Sequence, residues 1–332
     1  MRLIKKLGFC LVTVIPAAAL AACSGGSSAA PTGAPPEVSS ITIDVIPTSD
    51  AAGIYIAADD GYFTQQGLNV KIVTNETGAD QVGALQTGAA QLVQGSYVGF
   101  IQSQEAGSFD GKPVSMRFVA DTAEMEPGNQ GLFVMPGHFD SLDQLIKAHA
   151  TVGVSENDDV GALLLDGLLS ASGDKEDGIK QVSEPPLELP ALLAKGTISA
   201  AYLGQPLITY VEEQVGAVEL TDLDQGPLLN LPMGAIVGST PWVQSHPKTV
   251  AAFQRALTEA QQVADTNRHS VEAALEKWTV GLTPLVAANI PAESYPLSMS
   301  ASAMQRVADA MYQYGLIPKP FQVSSMIQPA QG

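Results

Sequence analysis

Hydroxyl, amide and carboxylate side chains gather in the loops that follow a series of β-rich runs. Side chains of these types form the hydrogen bonds that orient a small ligand. In open parallel sheets, ligands bind outside the carboxyl ends of the strands, where such loops meet. The sequence therefore predicts a binding site with these members: Thr48, Ser49, Asp50, Ser96, Tyr97, Asp121, Thr122, Asn157, Asp158, Glu184, Tyr202 and Gln205.

Several of these residues have a structural alternative. Ser49 and Asp50 could cap the helix that begins near Gly53, and Ser155 with Asp158 has the spacing of a capping box. Tyr97 could pack in the core instead of contacting a ligand.

The predicted loops are acidic, which bears on the kind of solute that they could bind. Asp50, Glu156 and Asp158 lie in them, and Arg117 is the only basic residue near a predicted strand end. A carboxylate repels an anion at close range by on the order of 1 kcal/mol or more, but it accepts hydrogen bonds from amino groups. We therefore expect an amino-heterocycle or another neutral to cationic solute first, and a small oxyanion second.

The sequence lacks the common signatures of catalysis and of metal binding. Residues 95–99 do not form a Gly-x-Ser-x-Gly elbow, and residues 107–112 do not form a phosphate-binding loop. The four His residues are scattered without ligand spacing. We therefore predict no enzymatic activity, no metal site and no cofactor.

Cys23 carries the one covalent modification that the sequence predicts. Arg2, Lys5 and Lys6 precede an uncharged run over residues 7–22, as in a secretory signal. The order Leu20-Ala21-Ala22-Cys23 resembles the lipobox of bacterial lipoproteins. This resemblance implies cleavage before Cys23 and acylation of its thiol, and each buried methylene would contribute about 0.8 kcal/mol to membrane anchoring. The alternative is an ordinary signal peptide that has a Cys at its cleavage site.

The composition indicates an acidic, exported protein without disulfides. Of the 332 residues only Cys10 and Cys23 are cysteines, and Cys10 would be removed with the signal. Without the three basic residues of the signal, 16 basic residues become 13 against 34 acidic ones, and the formal net charge of −18 becomes −21. Such a surface repels phosphate backbones, so nucleic acid is not an expected partner.

Strands alternate with helices through most of the chain, after a Ser-, Gly-, Ala- and Pro-rich stretch that predicts a flexible tether. The alternation favours βαβ units and a largely parallel sheet. The main predicted strands are 41–46, 92–94, 114–120, 132–135, 151–154, 179–182, 198–202 and 234–238. The main predicted helices are 79–87, 98–105, 142–149, 160–170, 189–194 and 206–214.

Two apolar stripes with helical spacing follow near the C-terminus. The first is Val250, Phe253, Leu257, Ala260 and Ala264, and the second is Met304, Val307, Ala308, Met311 and Tyr312. Steps of three and four residues predict helices that pack through these side chains, without a chemical role.

Three stretches together resemble the type II solute-binding proteins of ABC importers, in the nitrate, sulfonate, taurine and thiamine-pyrimidine group. The first combines Gly53-Ile54-Tyr55-Ile56-Ala57 with Gly61-Tyr62-Phe63 and Gly67-Leu68. The second runs over residues 78–96, and the third joins residues 141–154 to residues 192–201. The sequence departs from thiamine-pyrimidine binders at Ala51, where those proteins carry a His.

The resemblance implies an α/β protein with a two-lobed type II periplasmic-binding-protein fold. Each lobe would be a mostly parallel sheet flanked by helices, with the C-terminal helices packed on lobe I. The implied boundaries are a signal peptide over 1–22, a tether over 23–40, lobe I over 41–123, lobe II over 124–232, and lobe I again over 233–332.

The implied function is that of a monomeric, extracytoplasmic solute-binding component of an ABC import system. It would be lipid-anchored to the cell membrane through Cys23 and would deliver its solute to a permease and its ATPase. The implied solutes are a thiamine-precursor-like pyrimidine or another amino-heterocycle, or a sulfonate, nitrate or taurine. Two alternatives stay open: a ligand-sensing lipoprotein, and a pyrimidine-synthase-like enzyme. Such enzymes carry a Cys-rich motif that this sequence does not supply.

Overall fold

Twelve strands are described in the computed structural model, which covers residues 33–75, 78–155, 160–173, 178–279 and 281–327. The predicted signal peptide, Cys23, Asn157 and Asp158 lie outside these residues. The strands are β1 Ser40–Val45, β2 Asn69–Thr74, β3 Leu92–Ser96, β4 Ser108–Phe109, β5 Lys112–Pro113, β6 Met116–Glu124, β7 Gln130–Val134, β8 Thr151–Val154, β9 Lys180–Ser183, β10 Ala200–Gly204, β11 Val218–Asp222 and β12 Pro232–Ser239.

The helices of the same described ranges alternate with the strands and dominate the C-terminal part. They are α1 Ala52–Asp59, α2 Tyr62–Gln65, α3 Gly78–Thr87, α4 Tyr97–Ala106, α5 Leu142–Lys147, α6 Val160–Ala171, α7 Leu189–Ala194, α8 Leu207–Tyr210, α9 Thr240–Ser245, α10 Pro247–Thr266, α11 Arg268–Trp278, α12 Pro284–Asn289 and α13 Ala301–Gln313.

Lobe I is built on a sheet in which four of five strands run in the same direction. Its order is β2-β1-β3-β12-β6. Strand β1 pairs in parallel with β2 and β3, whereas β12 is antiparallel to both β3 and β6. Strand β6 therefore runs with β1, β2 and β3, and β12 is the reversed strand.

Lobe II repeats this arrangement in a second sheet. Read from the opposite edge, its order is β9-β8-β10-β7-β11. The pairs β8–β9 and β10–β8 are parallel, and β7 is antiparallel to β10 and β11. Each sheet is thus mostly parallel with one reversed strand, and that strand is the one by which the chain comes in from the other lobe.

Two short segments carry the chain between the lobes. We call residues 125–129 the first crossing and residues 223–231 the second crossing. The Met125 amide donates to the Leu231 carbonyl at 2.9 Å, and the Leu223 amide donates to the Gln130 carbonyl at 2.9 Å. The crossings are therefore hydrogen-bonded to each other and to the neighbouring strand.

The long helix α10 packs its apolar face on lobe I, as the sequence predicts. Val250, Phe253, Leu257, Ala260 and Ala264 are all buried there. The Phe253 ring stacks on Phe63 with 5.1 Å between ring centroids. Burial of such side chains contributes roughly 1.5–3 kcal/mol for each large one, which holds the helix to the sheet.

The second stripe is correct except at its last member. Met304, Val307, Ala308 and Met311 are buried in α13, but Tyr312 is 47% exposed, and Tyr314 is the buried tyrosine. One residue past Met311 the helix has turned by about 100°, which takes Tyr312 off the packed face.

Some predicted elements differ from the observed ones. Strand β6 continues to Glu124 instead of ending at residue 120, because β12 pairs along its whole length. The helix predicted over 206–214 is a short helix, α8, followed by a π-helical turn over Val211–Val215, which ends at Gly216 in the left-handed conformation. Strand β10 lies two residues beyond its predicted position.

The end of the predicted tether contacts the body of the protein. The Glu37 carboxylate accepts hydrogen bonds from the Lys248 and Thr249 amides at 3.0 and 2.7 Å. The Val38 amide donates to the Thr249 hydroxyl at 3.3 Å. Residues 37–40 therefore belong to the folded body, and the lobe boundaries otherwise stay a prediction.

Candidate functional site

A cavity of about 180 Å³ lies between the two lobes, beside the carboxyl ends of β1, β3, β8 and β10. We call it the cleft. Lobe I contributes Ile46, Pro47, Thr48, Ser49, Asp50, Gln94, Gly95, Ser96, Met233 and Glu293. Lobe II contributes Gln130, Ser155, Val160, Pro186, Leu187, Leu189, Tyr202, Leu203, Gly204, Gln205, Pro206 and Leu207.

Asp50 is the buried acid of the lobe I wall, only 8% exposed. Its carboxylate accepts from the Thr48 hydroxyl, from Gln94 Nε2 at 2.8 Å and from the Thr122 hydroxyl at 3.4 Å. Burial raises the pKa of Asp50, and the donors from Thr48, Thr122 and Gln94 offset part of that rise. Three neutral donors therefore stabilise this carboxylate without any positive charge.

Glu293 brings a second acid to the same wall from a distant part of the chain. The Ser49 hydroxyl donates to Glu293 Oε1. The other carboxylate oxygen, Oε2, is buried without a hydrogen-bond partner among the described residues. Burial, followed by the charge of Asp50, raises the pKa of Glu293 to about 8.

Gln205 is a buried polar side chain of lobe II with hydrogen bonds at both ends of its amide group. Its Nε2 donates to the Gly128 carbonyl at 3.0 Å, and its Oε1 accepts from the Thr209 hydroxyl at 2.9 Å. The Ser49 hydroxyl lies 3.5 Å from the Gln205 backbone oxygen. Lobe II therefore reaches the acidic wall of lobe I at this point.

The remaining wall is mostly apolar. Leu189 and Leu203 are buried, while Leu187 is 62% exposed at the rim. An apolar wall with a few placed polar groups is typical of small-molecule sites.

The cleft offers no positive side chain among the residues described as lining it. The Arg117 guanidinium, which the sequence places near a strand end, donates instead to the backbone oxygen of Ser325 at 2.5 Å. Among the described lining residues, the two acids of the cleft therefore have no cationic partner.

Six of the predicted site residues line the cleft, namely Thr48, Ser49, Asp50, Ser96, Tyr202 and Gln205. The Ser96 hydroxyl caps α4 by accepting from the Val98 amide at 3.1 Å, and the Tyr202 hydroxyl donates to Gln130. Each thus has a structural contact in addition to its place in the wall. Whether they bind solute stays a prediction.

Four other predicted residues do not line the cleft. Tyr97 is fully buried in the core, where its ring lies 4.9 Å from that of Phe118. Asp121 and Thr122 lie inside β6, and Thr122 supports Asp50 from behind. Burial raises the pKa of Asp121 to about 7. Glu184 follows β9 and is half-buried outside the lining.

The sequence reasoning missed Gln94, Gln130 and Glu293. Gln94 had a usable signal, because an amide inside an otherwise apolar strand needs a partner. Glu293 had none, because it lies 244 residues from Ser49, its hydrogen-bond partner.

Two further properties hold for the described residues. No group of three or more His, Cys, Asp and Glu side chains in these ranges could hold a metal ion. No helix in these ranges is both long enough and apolar enough to span a bilayer.

A family model described as the NMT1-like family matches residues 34–278. A nitrate import ATP-binding protein, NrtC, of Synechocystis sp. is 26% identical over 245 residues, which make up 70% of this chain. The chain spans about a third of that relative, 36% of its length.

Solved structures with the same fold include two binding proteins. One is the alkanesulfonate-binding protein SsuA from Xanthomonas axonopodis pv. citri bound to MOPS, with 19% identity and a TM-score of 0.74, covering 88% of this chain and 99% of that one. The other is the periplasmic nitrate-binding protein NrtA from Synechocystis, with 17% identity and a TM-score of 0.76, covering 88% and 87%. The predicted fold class and the family resemblance are confirmed.

Proposed function

Because the chain belongs to the NMT1-like family, we propose that it is the solute-binding component of an ABC import system. It captures a small solute in the cleft and delivers it to a permease driven by an ATPase. The observation that carries this proposal is the cavity between two matching sheets, lined from both lobes. No bond chemistry is part of the proposed function.

The named relatives support the import role. They include an ATP-binding protein for nitrate import and two binding proteins, for alkanesulfonate and for nitrate. A solute that contacts both lobes favours the arrangement in which they close on it, through its higher affinity for that state. The permease and the ATPase are the partners that such a delivery step requires.

We propose a solute that donates hydrogen bonds, such as an aminopyrimidine of the thiamine-precursor kind. Asp50 and Glu293 are acceptors, and the described lining has no cation to offset them. A sulfonate or nitrate beside two buried carboxyl groups would meet repulsion of on the order of a kcal/mol or more for each charged contact. The names of the relatives favour anions, and the chemistry of this cleft favours N–H groups.

We further propose that acyl chains on Cys23 anchor the protein at the outer or periplasmic face of the cell membrane. The support is the basic start, the uncharged run and the order Leu20-Ala21-Ala22-Cys23. The protein would then work as a monomer beside its permease.

Thermal unfolding of the full chain, purified in detergent, tests the proposed function. The additives are an aminopyrimidine precursor of thiamine, taurine, an alkanesulfonate and nitrate. A cognate solute at a hundred times its dissociation constant should add about 2.7 kcal/mol of stability. The variant Asp50→Asn should lose most of that gain, and Asp140→Asn, at an exposed acid of lobe II, should keep it.

The outcomes of this screen separate the parts of the proposal. Stabilisation by the sulfonate or nitrate alone would contradict the solute class but keep the binding function. No stabilisation by any additive, or chemical turnover of one of them, would contradict the function itself.

A further inference from the structure

Asp50 and Glu293 face the same cavity although they lie far apart in the sequence. Asp50 lies between β1 and α1, and Glu293 follows α12. Ser49, the neighbour of Asp50, donates its hydroxyl to Glu293. The fold therefore brings two buried carboxyl groups together in one apolar cleft.

The two carboxyl groups differ in the donors that stabilise them. Asp50 receives three side-chain hydrogen bonds, from Thr48, Gln94 and Thr122. Glu293 receives one from Ser49, the nearby Tyr295 hydroxyl lowers its pKa by a smaller amount, and its Oε2 is buried without a hydrogen-bond partner in the described structure. Donors favour the charged form of a carboxyl group, so the negative charge belongs on Asp50.

The charged and titratable groups around Glu293 do not neutralise it. Tyr295 follows on the same segment, and its hydroxyl donates to the Ser49 carbonyl at 3.3 Å. Asp50 lies on the cleft side, and its charge acts on both Glu293 and Tyr55 of α1. Asp265 of α10, with Arg268 and Glu272 of α11, lines a second cavity behind Glu293.

Arg268 is the one cation in that surrounding set, and its donors are directed elsewhere. Its Nε binds Glu272 at 2.7 Å, and its Nη2 donates to the Ala288 and Ile290 carbonyls. Two like charges in a low-dielectric site disfavour each other's ionisation. This explains why burial and the charge of Asp50 raise the pKa of Glu293 to about 8.

We propose that Asp50 and Glu293 share one proton in the solute-free protein, and that a protonated amine or amidine group of the solute takes the place of this proton. The proton leaves Glu293 for the solvent, and no other bond forms or breaks. The two-acid site then carries one net negative charge both before and after capture, so no second charge is buried without compensation. This inference rests on the proposed function in one respect, that the cleft is where the solute binds.

The exchange predicts an affinity that rises with pH for a cation and stays constant for a neutral molecule. Protons compete with the cation below the pKa of Glu293, about 8. Each unit of pH below that value weakens cation binding about tenfold, which amounts to about 100-fold between pH 9 and pH 6.

Infrared spectroscopy of the solute-free full chain tests the shared proton directly. The carbonyl stretch of a protonated carboxylic acid should be present at pH 7 in the difference between the wild type and Glu293→Gln. In the wild type that component should titrate away with a midpoint near pH 8. The variant Glu276→Gln, at an exposed acid of α11, should leave the spectrum unchanged. Absence of the component at pH 7 would overturn the proposal.

Binding of three small aromatic probes tests the exchange. Benzamidine is a cation over the whole range from pH 6 to pH 9, benzamide is its neutral counterpart, and benzenesulfonate is the anion. Benzamidine should bind about 100-fold more tightly at pH 9 than at pH 6, and Glu293→Gln should remove this dependence. Benzamide should show no such change. A pH-independent benzamidine affinity, or no benzamidine binding at pH 9, would overturn the proposal.

Failure of this inference is distinguishable from failure of the proposed function. If an alkanesulfonate stabilises the protein while benzamidine does not bind, the import role stands and the proton exchange is wrong. If the infrared component is present but no solute binds, the shared proton stands and the proposed function is wrong.

Discussion

Gly234 leaves the space in which the Asp50 carboxylate sits. It lies on β12, and a Cβ placed there would come within 3.0 Å of both Asp50 Oδ2 and Thr122 Oγ1. The backbone of Gly234 has no left-handed φ. The close approach of the Asp50 and Thr122 side chains to its Cα therefore explains why this position is a glycine. The residue therefore acts on the cleft without lining it.

Substitution of Gly234 by Ala should weaken solute binding as well as the fold. The added methyl displaces Asp50 from its donors, which should cost about 1–3 kcal/mol of stability and at least tenfold in solute affinity. Urea unfolding and equilibrium binding of the solute found by thermal unfolding measure the two effects. Gly238→Ala is the matched control on the same strand, because its Cβ would meet Val243 and Leu92 instead. Equal loss of affinity in both variants would contradict the prediction.

At the scale of elements, the last residues before β1 cap helix α10. The Glu37 carboxylate accepts from the first amides of α10, where the helix dipole favours negative charge. Partial burial opposes the charged form, but donation by the Lys248 and Thr249 amides and the Thr249 hydroxyl prevails and lowers the pKa of Glu37 to about 2. The segment is thereby fixed to lobe I.

Glu37→Gln should lower the unfolding free energy by about 1 kcal/mol at pH 7, the usual value of a helix cap. A lowered pKa gives stability that is complete above the unfolded value of 4.5 and is lost as the pH falls toward 2. The difference between wild type and variant should therefore shrink below pH 4.5. Urea unfolding at pH 7 and pH 3 measures it. Glu259→Gln, at an exposed acid of the same helix, should stay within 0.5 kcal/mol at both pH values. A pH-independent Glu37→Gln difference would refute the capping role.

The sequence predicts an element well where the bounds of that element depend on neighbouring residues alone. Strand β8 and helix α7 have the predicted bounds, and the stripe of α10 is buried as expected. The end of β6 was not predictable, because it depends on pairing with β12, more than a hundred residues later. The same division holds for the site. The rule of strand carboxyl ends finds Asp50 and Gln205, but Glu293 reaches the cleft only through the return of the C-terminal segment to lobe I.

At the scale of the whole molecule, the two sheets have equivalent strand orders, and the chain passes between them twice. Both passages lead into a reversed strand, β7 in lobe II and β12 in lobe I. Apolar packing also continues across the lobes, because Val93 and Phe118 of lobe I share one buried cluster with Val152 and Leu165 of lobe II. If the lobes move relative to each other, both crossings must therefore bend at the same time.

Asp222 ties the two crossings to each other. Its Oδ2 accepts from the Gly128 amide of the first crossing at 2.7 Å, and its Oδ1 accepts from the Asp224 amide of the second at 2.7 Å. Asp224 in turn accepts from the Asn230 amide at 2.7 Å. One carboxylate at the end of β11 thus holds the first crossing against the start of the second, and Asp222 itself does not line the cleft.

Asp222→Asn should change solute affinity although Asp222 does not touch the cleft. The amide keeps one acceptor oxygen and loses the other, which should cost about 1.5–3 kcal/mol, the value of a hydrogen bond to a charged group. Freed crossings shift the balance between open and closed lobes, and affinity follows the population of the closed state. We expect faster hydrogen exchange at the Gly128 or Asp224 amide together with a several-fold change in solute affinity.

Asp140→Asn, at an exposed acid of lobe II, should alter neither. Faster exchange with unchanged affinity would show that the crossings do not control closure, and the lobes would then be held mainly by the shared apolar cluster.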